Sequence, residues 1–222
     1  MTSLNRANPS PSDGLIKAVG DVIRRFESMS AARDAAVTDG RQVVRLSANA
    51  VRVLHRGEDA SGLLASARTM MSSIAQKTDP YPNIYWAGYV QDAMKEYAEA
   101  EITAALLQGK RIPSAEDLEV EDASWLNGLA EAGSELRRDV LDALRRDDIT
   151  RAETLLDEMD AVYSVLVTVD YPDAVTGGLR RTTDQFRSVL ERTRGDVTVS
   201  VRQSRLEQAL RKSEVERADS TG

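Results

Sequence analysis

Four glutamates in two separate stretches of the sequence have the side-chain type and spacing that a metal site requires. Glu96 and Glu99 are three residues apart, and Glu131 and Glu135 are four apart. In a helix, either spacing places both carboxylates of a pair on the same face. Most neighbouring residues are apolar or small, and carboxylates on such a face are costly unless a cation or hydrogen bonds compensate them. The sequence therefore predicts that two helices present four acids to one shared site.

The chemistry of these side chains favours a hard divalent cation. Four inward carboxylates would raise one another's pKa values unless such an ion screened them. Oxygen-only ligands suit Mg²⁺ or Mn²⁺, which can activate water and stabilise charge on a phosphoryl group. A ferritin-like di-iron centre would need Glu-x-x-His motifs, but the residue three before the only histidine, His55, is Arg52. The alternative for the acid pairs is an ordinary solvated helix face.

The composition excludes several other kinds of chemistry. The chain has no cysteine, which excludes disulfides, thiolate metal sites and cysteine nucleophiles. Its single histidine, His55, ends an amphipathic pattern, and we expect a structural or surface role for it. No apolar run approaches the roughly 18 residues that would cross a membrane, and the polar start differs from a signal peptide. These features predict a cytoplasmic protein without a membrane partner.

The charge is distributed unevenly along the chain. A net charge of −7 argues against a generally basic nucleic-acid-binding protein. Residues 176–212 nevertheless contain nine basic and four acidic side chains, a local balance of +5, which leaves −12 for the remainder. Arg187, Arg192 and Arg194 lie in this segment and are candidates for positioning a nucleic-acid strand, because the guanidinium fork matches phosphate. The alternative is that these arginines pair with acids of their own or neighbouring helices.

Hydrophobic periodicity predicts helices along most of the chain. The first covers about 14–56, and Gly40 leaves open whether it is one helix or two. The others cover about 59–76, 83–108, 123–146, 150–169 and 179–213, with a connector at 110–122. Thr150 and Glu153 predict a capping box at the start of the fifth helix. Val197, Val199 and Val201 alternate as in a strand, but no second run offers a partner, so this segment is predicted to be helical.

These elements predict an all-α, single-domain antiparallel bundle of about six or seven helices. We expect a disordered N-terminal lead at 1–13, the helical domain at 14–213 and a flexible C-terminal tail at 214–222.

Four sequence blocks together resemble the translin family, specifically the translin-associated factor X branch and its archaeal relatives. They are RQVVRLSANAVRVLHRGE at 41–58, GYVQDAMKEYAEA at 88–100, WLNGLAEAGSELRR at 125–138 and LRRTTDQFRSVLERTRGDVTVSVRQSRLEQAL at 179–210. The blocks occur in family order, and the resemblance spans about residues 33–210. It implies a translin-like fold that assembles into closed, often octameric, homo-oligomeric shells, with a related translin-type subunit as a further partner.

The resemblance to the factor X branch implies a Mg²⁺-dependent endoribonuclease whose acidic residues lie inside that shell. Carried over by position, the family's E-Y-x-E pair corresponds to Glu96 and Glu99, the acid of its L-A-D block to Glu131, and the following G-E-L acid to Glu135. Two departures stand out. The family usually has Asp where this chain has Glu131, and Ser134 replaces the glycine before Glu135.

The first functional hypothesis is a metal-dependent endoribonuclease that cleaves single-stranded RNA inside an oligomeric helical shell. Glu96, Glu99 and Glu131 would be catalytic and would hold Mg²⁺ or Mn²⁺, with Glu135 as a further metal ligand. Bases could stack on Tyr89 or Tyr97; the alternative places both tyrosines in the core.

The second hypothesis is a non-catalytic protein of the translin type that binds single-stranded RNA, with single-stranded DNA as another ligand. The third is a helical scaffold without a nucleic-acid partner, which only the negative net charge supports.

Overall fold

A computed structural model describes residues 11–219, and within this range every regular element is a helix. The helices are α1 (Pro11–Leu54), α2 (Ser61–Thr78), α3 (Pro82–Tyr85), α4 (Gly88–Leu107), α5 (Ala115–Leu118), α6 (Asp122–Arg145), α7 (Ile149–Leu166), α8 (Asp173–Thr176) and α9 (Leu179–Asp219). The predicted all-α fold is confirmed. Most of the predicted N-terminal lead lies outside the described residues, and both terminal helices extend beyond the predicted bounds of 14 and 213.

Helix α1 is continuous through Gly40, which decides between the one-helix and two-helix predictions. A Cβ atom at Gly40 would lie 3.4 Å from the backbone oxygen of Tyr89 and 3.7 Å from the Cβ of Ala93. The glycine therefore marks a close approach of α1 to α4 rather than a bend.

The predicted third helix is divided at Trp86 and Ala87. The short α3 ends at Tyr85, Ala87 is extended with φ −70° and ψ 143°, and α4 begins at Gly88. The connector at 110–122 contains the one-turn helix α5, which is capped reciprocally by Ser114 and Asp117. The break leaves the exposed Trp86 immediately before the acid-bearing helix α4.

The predicted capping box at the start of α7 was wrong. The N-cap is Asp148, whose side chain accepts a hydrogen bond of 3.0 Å from the backbone N–H of Arg151. Asp147 adopts a positive φ of 59°, which closes the turn after α6 and places Asp148 at the cap position. The helical prediction for the alternating valines of α9 is correct: Val197 is buried and Val199 is exposed on one continuous helix.

The core lies around α4 and α6, which pack against each other in the middle of the bundle. Helix α1 packs on α2 and α4, and α6 also packs on α7 and α9. The largest fully buried side chains include Tyr97, Phe186, Met94, Leu136 and Met159. The two central helices are also the ones that carry the four predicted acids.

Both long terminal helices carry exposed apolar side chains where they extend from the bundle. On α1 these are Leu15, Ile16, Val19, Val22, Ile23 and Phe26, and on α9 they are Leu206, Leu210 and Val215. Their spacing of three, four or seven residues places several of them along one side of each helix. Within residues 11–219, no helix combines the length and apolar character needed to cross a membrane.

Candidate metal centre and adjoining groove

Three of the four predicted acids meet between α4 and α6. Glu96 and Glu99 lie on α4 and Glu131 lies on α6, and one carboxylate oxygen from each is within 4.8 Å of the others. All three residues are partly buried. The structure therefore brings acids of both helices together in what is called the glutamate cluster below, and Glu135, the fourth predicted member, lies outside this group of three.

Gly128 allows α6 to approach α4 at this level. A Cβ atom there would lie 2.8 Å from the backbone oxygen of Lys95, 2.9 Å from the backbone nitrogen of Glu99 and 3.0 Å from the Cβ of Ala98. Real side chains do not tolerate such distances to backbone atoms. Gly128 lies three residues before Glu131, on the same side of α6. The absence of a side chain at Gly128 thus positions Glu131 beside the acids of α4.

Burial makes the carboxyl group of Glu99 reluctant to ionise. Its pKa is raised to about 8, chiefly by desolvation and further by the negative charges of Glu131, Glu96 and Glu135, while Lys95 opposes the rise. At neutral pH most Glu99 side chains are therefore protonated in the protein without a bound cation. A divalent ion at the cluster would reverse this preference, because it stabilises the ionised carboxylates.

Lys95 places a positive charge next to the carboxylates of the glutamate cluster. Its Nζ lies 2.8 Å from Oε2 of Glu131 and 3.2 Å from Oε1 of Glu96. Burial alone would lower the pKa of Lys95, but its contacts with Glu131 and Glu96 outweigh burial and raise it. Lys95 therefore remains charged, and it offsets part of the negative charge of Glu131 and Glu96.

Glu135 has a different partner from the other three acids. His55, at the end of α1, donates from Nε2 to Oε2 of Glu135 at 2.8 Å and from Nδ1 to Oδ2 of Asp139 at 2.6 Å. The His55 side chain is only 2 % exposed. Its hydrogen bonds with Asp139 and Glu135 raise its pKa to about 9, against the opposing effect of burial. His55 is therefore a buried cation that fixes the Glu135 carboxylate beside the cluster, and not a surface residue.

The donor set of the glutamate cluster fits Mg²⁺ or Mn²⁺. It offers carboxylate oxygens only, at mutual distances that a single ion can span, and one of the acids resists ionisation without a counter-charge. Glu96, Glu99 and Glu131 are thus the residues that could hold such an ion, with Glu135 held at the edge by His55.

The three arginines predicted to position nucleic acid are separate from this site. Arg194 forms ion pairs with Asp160 and, at 3.3 Å, with Glu191. The Nε of Arg192 donates to the backbone oxygen of Ser188 at 3.1 Å. Arg187 is exposed on α9. Arg194 therefore pairs with acidic residues of its own and a neighbouring helix, which was the alternative to a role in nucleic-acid binding.

Tyr97 cannot stack on a base, because its side chain is fully buried. Its hydroxyl accepts a hydrogen bond of 2.9 Å from Nε of Arg68 and donates one of 3.0 Å to Glu101. The stacking prediction for Tyr97 was therefore wrong, and its core alternative is correct. Tyr89 is partly buried and packs against the same core.

A groove of about 510 Å³ adjoins the glutamate cluster, and we call it the Trp86 groove. Its lining includes Trp86, Lys95 and Glu131 together with Arg181 and Gln185 of α9. The Trp86 side chain is 59 % exposed. Sequence reasoning missed these groove residues, although the Gly-Gly-Leu-Arg-Arg run at the start of α9 was a usable signal.

Asn127 of α6 connects that helix to the end of α8 and the start of α9. Its Nδ2 donates to the backbone oxygen of Thr176 at 2.8 Å, and its Oδ1 accepts from the hydroxyl of Thr182 at 2.7 Å. Gly177 and Gly178 make the turn between α8 and α9 with φ values of 62° and 84°. These two hydrogen bonds tie the turn to α6, and Arg181, Thr182 and Gln185 near the start of α9 line the groove.

Comparison with known proteins extends over most of the chain. No protein-family model matches it. It is 25% identical over 195 residues to an uncharacterised protein of Methanocaldococcus jannaschii, covering 87% of each chain. The crystal structure of AfC3PO is 31% identical with a TM-score of 0.77, covering 85% of this chain and 99% of that one.

Two further solved structures have the same architecture. The complex of AfC3PO with duplex RNA has a TM-score of 0.79 at 31% identity and covers 85% of this chain and 98% of that one. The structure of apo-NeC3PO has a TM-score of 0.74 at 17% identity, which establishes likeness of fold alone, over 87% of this chain and 100% of that one.

Proposed function

Because this chain belongs to the translin and C3PO family of all-α proteins, we propose that it acts on RNA. The proposed function is metal-dependent endoribonucleolytic cleavage of single-stranded RNA. The observation that carries the catalytic part is the approach of Glu96, Glu99 and Glu131 to within 4.8 Å of one another. The RNA-binding part is supported by the likeness to AfC3PO, which has been solved with duplex RNA.

The glutamate cluster would hold one Mg²⁺, with Mn²⁺ as a substitute. When bound, the ion would supply an activated water and offset the charge that develops on the scissile phosphate. Glu99 would lose its proton as the ion enters, because the ion removes the cost of ionising a buried acid. Glu135 keeps a fixed orientation through His55 and would assist through a direct contact or a bound water.

Lys95 has a defined part in this proposal. Without metal it neutralises Glu131 and Glu96. Since a divalent ion would compete with it for the same carboxylates, the Lys95 ammonium group would become available to the phosphate of a bound strand. This exchange would leave the net charge of the cluster the same in both states.

The second candidate is a non-catalytic protein that binds single-stranded RNA or DNA. Two observations favour it: Glu131 replaces the family's usual Asp, and the same carboxylate is already paired with Lys95. In this case the acids are structural, and binding weakens steeply with salt because it depends on phosphate contacts.

Incubation of labelled single-stranded RNA with Mg²⁺ or EDTA separates the two candidates. We expect cleavage by the unmodified protein in Mg²⁺ and intact RNA in EDTA or with the Glu96→Gln variant. RNA that stays intact in all samples, while retained by the protein, would exclude the nuclease and leave the binding function.

We further propose that the protein forms a homo-oligomer of the octamer-like kind that the family resemblance implies, alone or with a related translin-type subunit. The exposed apolar residues of α1 and α9 support this, because contiguous apolar surface of that kind marks contact sites. Light scattering at micromolar concentration tests it, and a monomeric mass would contradict it.

A further inference from the structure

We propose that the Trp86 groove binds one unpaired RNA nucleotide beside the glutamate cluster, with its base on the indole of Trp86 and a phosphate on Arg181. This inference rests on the proposed RNA-binding function and extends it by assigning a subsite and the form of the substrate that the subsite accepts.

The exposed indole of Trp86 offers a flat surface on which a base can stack. It is one of two tryptophans in the chain and is 59 % exposed. The Tyr85 ring contacts it edge-on, with centroids 5.3 Å apart and an interplanar angle of 88°. Tyr85 is itself anchored, since its hydroxyl donates to Glu121 at 2.6 Å. The indole therefore packs against an anchored ring on one side, and this contact lowers the entropic cost of stacking a base on the indole.

Arg181 provides a cation that no acid of the described residues neutralises. It is exposed and lines the Trp86 groove, and no ion pair forms at its guanidinium within residues 11–219. Arg181 is the third residue of α9, where the helix dipole disfavours a positive side chain. An anion at this position would be attracted by both the guanidinium group and the helix N-terminus.

The size and charge of the groove fit a nucleotide. Its volume of about 510 Å³ falls in the range of roughly 300–1,000 Å³ that is typical of small-ligand sites. The cations Lys95 and Arg181 balance the acids Asp92 and Glu131 among its lining residues. The exposed amide of Gln185 adds a hydrogen-bond donor and acceptor for a base edge.

A second groove provides an internal comparison. It has a volume of about 630 Å³ and also contains an exposed aromatic residue, Tyr171, and an arginine, Arg180. Three aspartates (Asp170, Asp173 and Asp184) line it as well, so its charge repels phosphate. The same residue types are thus present in both grooves, but only the Trp86 groove combines them with a balanced charge and with the glutamate cluster.

The geometry requires an unpaired nucleotide. Bases inside a duplex are already stacked on their neighbours, so the face that Trp86 would cover is occupied. A base in a single strand, a bulge or a loop is free to turn onto the indole. A nucleotide held in this way places the strand beside Lys95 and Glu131, which line the same groove, and Glu131 belongs to the glutamate cluster.

The test measures binding in EDTA, where metal-dependent cleavage does not interfere. The probes are a fluorescein-labelled single-stranded RNA of mixed sequence and a duplex RNA closed by a loop at each end. The variants are Trp86→Ala, Trp86→Phe and Arg181→Ala, with Tyr171→Ala and Arg180→Ala as controls from the other groove. Circular dichroism and light scattering verify that each variant keeps the fold and the oligomeric state of the unmodified protein.

We expect Trp86→Ala to weaken binding of single-stranded RNA by about 5-fold to 100-fold, and Trp86→Phe to restore most of the affinity. Arg181→Ala is expected to weaken binding. It should also make the slope of the logarithm of the binding constant against the logarithm of salt concentration shallower by about one unit, as expected for the loss of one phosphate contact at each site. Tyr171→Ala and Arg180→Ala should leave the affinity within about twofold. Closed duplex RNA should bind the unmodified protein and Trp86→Ala equally.

A direct signal comes from the indole itself. In a Trp125→Phe background Trp86 is the only tryptophan, and stacking of a base should quench its fluorescence upon addition of single-stranded RNA. Normal RNA binding with no effect of Trp86→Ala or Arg181→Ala, and without quenching, would overturn the subsite and leave the proposed function intact. Absence of RNA binding by the unmodified protein would overturn both.

Discussion

Replacing Glu99 by glutamine should stabilise the metal-free protein and at the same time remove its metal site. The pKa of Glu99 is raised from 4.5 to about 8 by burial and by neighbouring carboxylates. The folded protein therefore holds a proton that the unfolded chain releases, and the free energy of unfolding falls as the pH rises from 4.5 to 8. Glutamine has nearly the same shape and never ionises, so this loss disappears.

The expected magnitude follows from the two pKa values. One pKa unit corresponds to about 1.36 kcal/mol, so the full difference amounts to about 5 kcal/mol above pH 8. At pH 7 the folded protein avoids part of this cost by keeping Glu99 protonated, and the loss is about 3 kcal/mol. Near pH 4 both states are protonated and the difference vanishes. The stabilisation by Glu99→Gln should therefore grow with pH.

Urea denaturation in EDTA, followed by circular dichroism at one fixed protein concentration, measures this effect. The concentration must be fixed because subunit association contributes to the apparent stability. Glu158→Gln removes an exposed glutamate of α7 and serves as the control; it should change the free energy of unfolding by less than about 0.5 kcal/mol. If Glu99→Gln gives no stabilisation at pH 7, or the same value at pH 5 and pH 8, the reasoning about the buried acid is refuted. The variant should also fail to bind Mg²⁺ or cleave RNA.

Three further changes test the surroundings of the cluster. Gly128→Ala should destabilise the fold by about 1–3 kcal/mol and weaken Mn²⁺ binding measured by electron paramagnetic resonance, because its Cβ would push α6 away from Lys95 and Glu99. Lys95→Met should bind Mg²⁺ several-fold more tightly in calorimetry, because it removes the cation that competes for Glu131. The contribution of His55, whose pKa is raised from 6.5 to about 9, is fully present below pH 6.5 and lost as the pH rises through 9. His55→Gln should remove this part of the pH dependence, on the order of 3 kcal/mol in urea denaturation.

The following results would contradict these three predictions. Unchanged Mn²⁺ affinity in a folded Gly128→Ala protein would show that helix spacing does not position the cluster. Weaker Mg²⁺ binding by Lys95→Met would mean that the ammonium group supports the site instead of competing with metal. If the stability of His55→Gln still falls between pH 6.5 and pH 9 as in the unmodified protein, His55 is not the group responsible.

The sequence was sufficient for features that depend on local geometry. A helix repeats every 3.6 residues, so the pairing of Glu96 with Glu99 on one face followed from their spacing alone. The long helices were predicted to within about six residues at their ends because their apolar periodicity is strong, whereas the break at Trp86 and the one-turn helices α5 and α8 were not predicted. The alternation of Val197, Val199 and Val201 was assigned to a helix because no partner strand existed. The family blocks added the order and identity of the acids.

The contacts between distant residues were decided by the tertiary structure. Glu131 meets Glu99 only because Gly128 has no side chain to hold α6 away from α4. His55 is 80 residues from Glu135 along the chain, and no local pattern indicates that the end of α1 lies against α6. Trp86 and Arg181 share a groove through the turn that Asn127 fixes. Spacing along a helix determines which face of the helix a side chain lies on. The burial of that side chain, its pKa and its charge partners depend on what packs against that face. Packing is decided by the tertiary structure, because it brings together residues that are far apart in the sequence.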